Sequence, residues 1–325
     1  MKAWLVHQWC EPEQMTFAEV ALPEPGPRQV RIRNHAAALN FFDVLQIRGK
    51  YQIKPPLPFT PGAEVAGVVD AVGSGVENVT PGMRVCGLPT AGAFAEYSLA
   101  ACDRTFPIPG GLSFAQAAAM PIVYHTSWFA LNRRAQLSTG EWVLVHAGAS
   151  GVGMSAIQLS KARGARVIAT AGSEVKREFC LKQGADHAIS YNDASWVERV
   201  KEITNGHGAD VIYDPVGGEI LELSTKCIAP EGRLLVVGFA SGTIPSLAAN
   251  RVLLKNMSLV GVFWGQYVSD KPGYLLETHE RLCELYAEKK INPVVGRTLP
   301  LSQAPFALRE LADRKVRGKS VLVIT

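Results

Sequence analysis

No two of the six cysteines stand close together, and there is no C-x-x-C pair. That excludes a zinc finger or ribbon and leaves no redox dithiol. A disulfide scaffold is not expected either, because a chain of 325 residues can bury a core without staples. Long blocks of lysine and arginine are missing too. The nearest, R-K-V-R-G-K at 314–319, reads as a solvated helix end, and the net charge is only +4. Nucleic acid is therefore not an expected partner. Full charges are absent between Arg104 and Arg133, yet Pro107, Pro109, Gly110, Gly111 and Pro121 interrupt that stretch. No segment of about 20 residues there reads as a bilayer-spanning helix, so no membrane partner is expected. The opening M-K-A-W-L-V-H-Q-W-C-E-P-E-Q has no long apolar run and soon meets Glu11 and Glu13, so a cytoplasmic protein without a signal peptide is expected. Solenoid repeats and low-complexity tracts are absent.

What is present is a globular composition, 47% hydrophobic with 30 glycines and 20 prolines, at a length that fits two domains. Residues 1–120 read as β-rich. Strand-like runs at 29–39, 64–75, 82–88 and 93–99 are separated by Gly and Pro, as in P-E-P-G-P-R and V-T-P-G-M-R. From about 140 the texture becomes an alternation. Apolar runs at 142–147, 165–171, 187–191, 210–216, 232–238 and 258–263 flank helical patterns near 151–163, 174–184, 193–205 and 217–229. Buried strands alternating with helices imply an α/β fold, a doubly wound parallel sheet. Beyond 265 come an amphipathic helix, L-L-E-T-H-E-R-L-C-E-L-Y-A-E-K-K, another near 302–315, and a last strand, S-V-L-V-I-T. These leave the alternation and are expected to return to the first domain.

Between the strand W-V-L-V-H and the helix G-M-S-A-I-Q-L-S-K-A-R-G lies G-A-S-G-V-G. Gly148, Ser150 and Gly153 take the three glycine positions of a dinucleotide loop, and Gly151 adds another small residue. Gly148 is expected to make the tight turn and Gly153 to let the helix pack close. Ser150 is small enough to lie near the pyrophosphate. The backbone N–H groups from Gly151 through Val152 and Gly153 to Met154 are expected to meet the phosphates. Tight turns also use glycine for structure alone, but here the loop opens the first strand–helix–strand unit of an alternating domain.

In NAD-binding units an acid about 20 residues further on holds the ribose hydroxyls. In this chain Gly172 stands there, followed by Ser173, Glu174, Val175, Lys176 and Arg177. A hydroxyl and two cations suit a 2′-phosphate, so NADPH is the expected cofactor, with Ser173 and Lys176 as its ligands and Tyr191 beside them. The alternative is that Lys176 and Arg177 are merely exposed first-turn residues and that Glu174 does the acidic work.

Over essentially its whole length the chain resembles the zinc-independent quinone oxidoreductases of the medium-chain dehydrogenase/reductase superfamily. The resemblance rests on A-L-N-F-F-D-V-L-Q-I-R-G-K-Y, P-P-L-P-F-T-P-G-A-E-V-A-G-V-V, V-T-P-G-M-R-V, L-V-H-A-G-A-S-G-V-G, G-A-D-V-I-Y-D-P-V-G-G, G-R-L-L-V-V-G-F-A-S-G and the closing G-K-S-V-L-V-I. It implies a GroES-like β-rich catalytic domain from residues 1–122 and 265–325, and a Rossmann NADPH-binding domain over 123–264. The family loop usually reads Ala-x-x-Gly-Gly-Val-Gly, with Ser150 here replacing the first paired glycine. Zinc-dependent members of the superfamily carry a cysteine at the position of Asn40, a histidine at that of Ala63, and a cysteine-rich lobe near Gly92, where this chain reads G-L-P-T-A-G-A-F-A-E-Y-S. An amide and a methyl are not zinc ligands, so no metal is expected.

Without a Lewis acid the acceptor must already be electrophilic, a quinone or an α,β-unsaturated carbonyl. The resemblance places Asn40 and Thr126 near the nicotinamide or its ribose. It places Tyr51 at the substrate mouth, as proton donor or as cleft wall. Phe239, Phe263 and Trp264 would wall the cleft or pack in the core, and Lys319 would approach the cofactor. Asp43 matches the family pattern but reads better as a cap or loop acid. Three functions follow: an NADPH:quinone reductase, an enoyl or alkenal reductase, and a non-catalytic NADPH-binding protein. The resemblance also implies a homodimer joined at M-S-L-V-G-V-F, 257–263.

Overall fold

The structure is a computed structural model and describes residues 1–89 and 92–325. Thr90 and Ala91, inside the stretch read above for missing zinc ligands, lie outside the described residues. The strands, in chain order, begin with β1 (Lys2–Leu5), β2 (Thr16–Glu19), β3 (Gln29–Ala38), β4 (Val65–Val72), β5 (Arg84–Gly87), β6 (Tyr97–Ala101) and β7 (Thr105–Pro107). They continue with β8 (Trp142–Val145), β9 (Arg166–Ala171), β10 (His187–Ser190), β11 (Ala209–Asp214), β12 (Ile228–Val236), β13 (Ser258–Gly261), β14 (Val295–Pro300) and β15 (Lys319–Val323).

The chain forms two compact units. One contains Met1–Ile122, Pro272–His279 and Pro293–Thr325; the other contains Val123–Lys271 and Glu280–Asn292. The boundary expected at 264/265 therefore shifts, and the helix Pro272–Ala287 is divided between the units. Its first part stacks His279 on Phe106. The segment after it hydrogen-bonds to the second unit, where the Gln158 amide donates to the Asn292 carbonyl and accepts from its N–H.

In the second unit a six-stranded sheet runs β10-β9-β8-β11-β12-β13, every pair parallel. This is the doubly wound order whose switch point lies between the first and fourth strands, here β8 and β11. The apolar runs become strands because both faces are covered: Val143, Leu144, Val145, Val167, Ile168, Val211 and Ile212 are fully buried. Helices Gly151–Ala162, Glu174–Lys182, Trp196–Ile203 and Gly218–Ser224 fill the first four gaps. At one edge β13 exposes Leu259, and the preceding helix Ala249–Lys255 exposes Leu253 and Leu254.

The first unit holds a seven-stranded sheet ordered β14-β15-β3-β4-β5-β7, with β6 paired to β3, and the separate pair β1-β2. Its core includes Val30, Ile32, Leu39, Val44, Val65, Val85, Phe94 and Leu322. The run expected as a strand at 93–99 becomes β6 only from Tyr97. Ala93 and Phe94 instead bond through backbone N–H groups to the Gly62 and Pro61 carbonyls.

The register of three strands matters most. β15 runs antiparallel to β3 with Val321 opposite Ala38, and β4 runs antiparallel to β3 with Val65 opposite Ala37. Extending both ladders sets Lys319 opposite Asn40 and Glu64 opposite Ala38. The Leu39 N–H donates to the Ser320 carbonyl, and the Ala38 N–H to the Glu64 carbonyl.

Candidate functional site

The turn after β8 is left-handed at Ala147, with φ +48°. The expectation that Gly148 makes this turn is corrected, because Gly148 is needed for packing. A Cβ there would lie 2.9 Å from both the Ala169 Cβ and the Cys180 Sγ. Gly153 is tighter still: a Cβ would fall 2.3 Å from the Ala147 carbonyl oxygen, so the helix meets the turn backbone to backbone.

Ser150 is the N-cap of that helix, and its Oγ accepts from the Gly153 N–H at 3.1 Å. The Met154 N–H donates to the Ser150 carbonyl at 2.8 Å. Two of the four N–H groups expected to meet phosphates are thus satisfied within the helix, as serine at an N-cap normally arranges. Among the described residues, the N–H groups of Gly151 and Val152 have no protein acceptor. Behind them the Ser127 Oγ contacts the Val152 carbonyl, the Ser155 Oγ and the Tyr213 hydroxyl at 3.2, 2.8 and 2.9 Å. This hydroxyl cluster was not anticipated from sequence; its only signal was polar groups in otherwise apolar elements. Thr126 is half-buried on the same helix as Ser127, Pro121–Trp128.

At the far end of the loop unit, β9 and β10 pair with Ala171 opposite Ser190, which brings the next residues, Gly172 and Tyr191, side by side. The Tyr191 hydroxyl lies 2.7 Å from where a Gly172 Cβ would be, so any side chain at 172 would displace it. Ser173 is exposed, caps helix Glu174–Lys182 by position, and makes no side-chain capping bond. Lys176 is half-buried in the first turn of that helix. Glu174 is exposed and pairs with Arg177, so it acts as a helix-end charge and neutralises the second cation.

Phe239 is half-buried beyond β12, its ring against Gly217, where a Cβ would lie 2.7 Å from its Cδ1. Gly217 belongs to a turn held by Asp214, whose Oδ1 accepts from the Val216 and Gly217 N–H groups at 2.7 and 3.0 Å. Burial pushes the Asp214 carboxyl up to about 6. Phe263 is largely exposed, whereas Trp264 stacks on His125, which is fully buried. His146, another residue not singled out from sequence, sits between the Thr170 and Ser224 hydroxyls at 3.0 and 2.8 Å. Burial lowers it to about 3 and keeps it neutral, a structural link between elements.

In the first unit the three-strand register gathers a buried polar cluster. The Lys319 ammonium donates to the Leu39 carbonyl at 2.7 Å, the Asn40 Oδ1 at 2.7 Å and the Glu64 Oε1 at 2.6 Å. The Asn40 Nδ2 donates to the same Glu64 oxygen at 2.8 Å, and the Glu64 Oε2 accepts from the Ile122 N–H at 2.8 Å. All three ammonium protons are used inside this cluster.

Asp43 stands at the third position of helix Phe41–Ile47, and its Oδ2 accepts from the Asn40 N–H at 2.7 Å. It is a cap acid, as read from sequence. Its carboxyl is fully buried and raised to about 7: burial dominates, opposed by the Asn40 hydrogen bond and the Lys319 charge, with Glu64 adding to the rise. Tyr51 is half-buried beside Phe42, ring centroids 5.3 Å apart. Burial, and then the nearby Asp43 charge, raise its phenol. Both causes favour the neutral phenol.

Among the described residues no group of three or more His, Cys, Asp and Glu is placed to hold a metal ion. No helix among them is long and apolar enough to cross a membrane.

A parallel 3-2-1-4-5-6 sheet with a glycine-tight loop after its first strand, joined to a β-rich unit, defines a nucleotide-binding dehydrogenase/reductase fold. Residues 26–110 match the alcohol dehydrogenase GroES-like domain family, and residues 151–280 the zinc-binding dehydrogenase family. The chain is 39% identical to a quinone oxidoreductase-like protein 2 homolog of Nematostella vectensis, over 91% of this chain and 82% of that protein. It is 33% identical to the quinone oxidoreductase of Rattus norvegicus, over 100% and 98%. The structure of Escherichia coli quinone oxidoreductase complexed with NADPH superimposes with a TM-score of 0.92 at 31% identity, covering 99% of this chain and 100% of that one. The chain belongs to the quinone oxidoreductase family of the medium-chain dehydrogenase/reductase superfamily.

The Asp43 carboxyl gives a pH test. An acid whose pKa is higher in the folded state than in the unfolded one binds its proton more tightly when folded. Its contribution to stability is complete below the unfolded value of about 4 and is lost as pH rises to about 7. Asp214 acts in the same direction but is common to both proteins in the comparison. Thermal unfolding followed from pH 4.5 to 7.5 should show the wild type losing more stability than Asp43→Asn. Parallel curves would mean that Asp43 does not hold a proton at neutral pH.

Proposed function

We propose that the chain is an NADPH-dependent oxidoreductase that delivers hydride to a quinone without a bound metal ion. The observation that carries the cofactor reading is the end of β9: a glycine and a capping-free serine stand where an NAD-specific acid would stand, and the nearest acid is already paired with Arg177.

The residues fit the cofactor. The two open N–H groups of Gly151 and Val152, at the positive end of a 12-residue helix, suit a pyrophosphate. Ser173 and Lys176 suit the 2′-phosphate, with Tyr191 flanking it. Thr126 and Phe239 are assigned to the nicotinamide half. Bound NADPH supplies hydride from its nicotinamide C4. Asn40 offers an amide N–H to the acceptor oxygen, and Tyr51 orients the acceptor as a hydrogen-bond donor, while solvent provides the proton that completes the hydroquinone. The oxygens of Leu39, Asn40 and Glu64 that a cation would need are taken by the Lys319 ammonium, which supports metal-free chemistry. An acceptor that delocalises the incoming charge, as a quinone does, suits such a site.

A cytoplasmic homodimer completes the reading. Strand β13 is a sheet edge, and Leu253, Leu254 and Leu259 are exposed beside it. An open apolar edge of this kind favours pairing with its own copy.

Three measurements test these points. NADPH consumption should be fast with 1,4-benzoquinone and 9,10-phenanthrenequinone and slow with a 2-alkenal or crotonyl-CoA. Turnover of alkenals alone would make it a double-bond reductase, and turnover of nothing a binding protein. Lys176→Ala should weaken NADPH at least about 10-fold while leaving NADH nearly unchanged, since only the former loses a charge-assisted bond; equal losses would remove Ser173 and Lys176 from the phosphate site. Light scattering should give the mass of a dimer for the wild type and of a monomer for Leu259→Lys. A wild-type monomer would refute the edge pairing.

A further inference from the structure

We infer that Lys319 and Glu64 are positioning residues that lock the Asn40 amide in one orientation and so aim its second N–H at the oxygen of the hydride acceptor. The inference rests on the oxidoreductase reading above.

An asparagine amide is ordinarily free to exchange its oxygen and nitrogen by a flip. At Asn40 the flip is blocked by charge. Oδ1 faces the Lys319 ammonium at 2.7 Å and Nδ2 faces the Glu64 carboxylate at 2.8 Å. A flipped amide would set its own N–H groups against a cation and its oxygen against an anion. The clamps are themselves fixed. The ammonium has three protons and three acceptors, the third being the Leu39 carbonyl. The Glu64 carboxylate is held at both oxygens, with Oε2 on the Ile122 N–H. Lys319 is 3% exposed and Glu64 0%, so water does not screen the pair.

Asn40 is 7% exposed, and Nδ2 carries two hydrogens, of which Glu64 takes one. Among the described residues the other has no acceptor. Drawing electron density toward the cation at Oδ1 makes that remaining N–H a stronger donor. Hydride addition leaves negative charge on the acceptor oxygen, and a fixed donor is most effective against charge that develops during the reaction. Asn40 gives up no proton: one hydride and one solvent proton convert the quinone to the hydroquinone. Asp43, the acid beside this cluster, accepts from the Asn40 backbone N–H, and the Tyr51 phenol feels its charge.

A double-mutant cycle on the full-length protein tests this. Single-turnover NADPH oxidation at saturating benzoquinone would be measured for the wild type, Asn40→Ala, Lys319→Met and the double variant, with NADPH affinity by fluorescence and Tm alongside. Asn40→Ala should slow hydride transfer about 100-fold, the loss typical of one oxyanion donor. Lys319→Met should slow it at least about 10-fold with NADPH affinity unchanged, and the double variant should be no slower than Asn40→Ala alone. Losses that multiply, or Lys319→Met at wild-type rate, would overturn the positioning role. If Lys319→Met does not fold, Glu64→Gln carries the same cycle, since it keeps the shape and removes the charge. A wild type that turns over no quinone overturns the functional reading itself, and this inference with it.

Discussion

At Gly148 and Gly153, on either side of the start of helix Gly151–Ala162, there is no room for a side chain. Gly153 lies against the Ala147 carbonyl and Gly148 against Ala169 and Cys180, so the turn after β8 and the helix share one rigid backbone surface. That contact decides which N–H groups are left over. Ser150 takes the one from Gly153 into its own cap, the helix takes that of Met154, and Gly151 and Val152 remain. The buried hydroxyls of Ser127, Ser155 and Tyr213 brace the same turn from behind. A helix start made this way is preorganised, because its turn and its cap are fixed by contacts within the chain.

The first unit uses charge for the same end. A lysine, a glutamate and an aspartate are buried around Asn40, each hydrogen-bonded to its side chain or backbone. Buried ion pairs seldom add net stability, since removing both ions from water offsets their attraction. What such a pair gives here is orientation: an amide with a cation at one end and an anion at the other has a single favourable pose. Asp43, raised to about 7, is able to hold a proton near neutral pH and so relieves the excess of negative charge around one ammonium.

The central strands of the second unit's sheet, β8, β9 and β11, were legible in the chain because they are short, mostly buried and bounded by turns, so each falls in an apolar run. β14 was not, because Val295–Pro300 is largely exposed and lacks alternation. The loop was legible as a tight strand-to-helix turn through its small residues, but the role of Gly148 was misassigned: the left-handed residue is Ala147, an alanine where glycine is the normal choice. Ser150 stood out as a departure from the family glycine, yet nothing local announced that its hydroxyl would close on Gly153. Lys319 was legible only through resemblance. Its partner Glu64 lies 255 residues away, and only the register of β15, β3 and β4 brings them together. Sequence spacing carries no signal for a contact of that kind.

We propose that two N–H groups and one uncapped serine of this backbone hold a phosphorylated dinucleotide. A crystal structure of the NADPH complex tests it most directly. The pyrophosphate should bond to the Gly151 and Val152 N–H groups with Ser150 still capping Gly153, and the 2′-phosphate should lie on Ser173 and Lys176. A pyrophosphate seated on Gly153 and Met154, or a ribose paired with Glu174, would contradict the account.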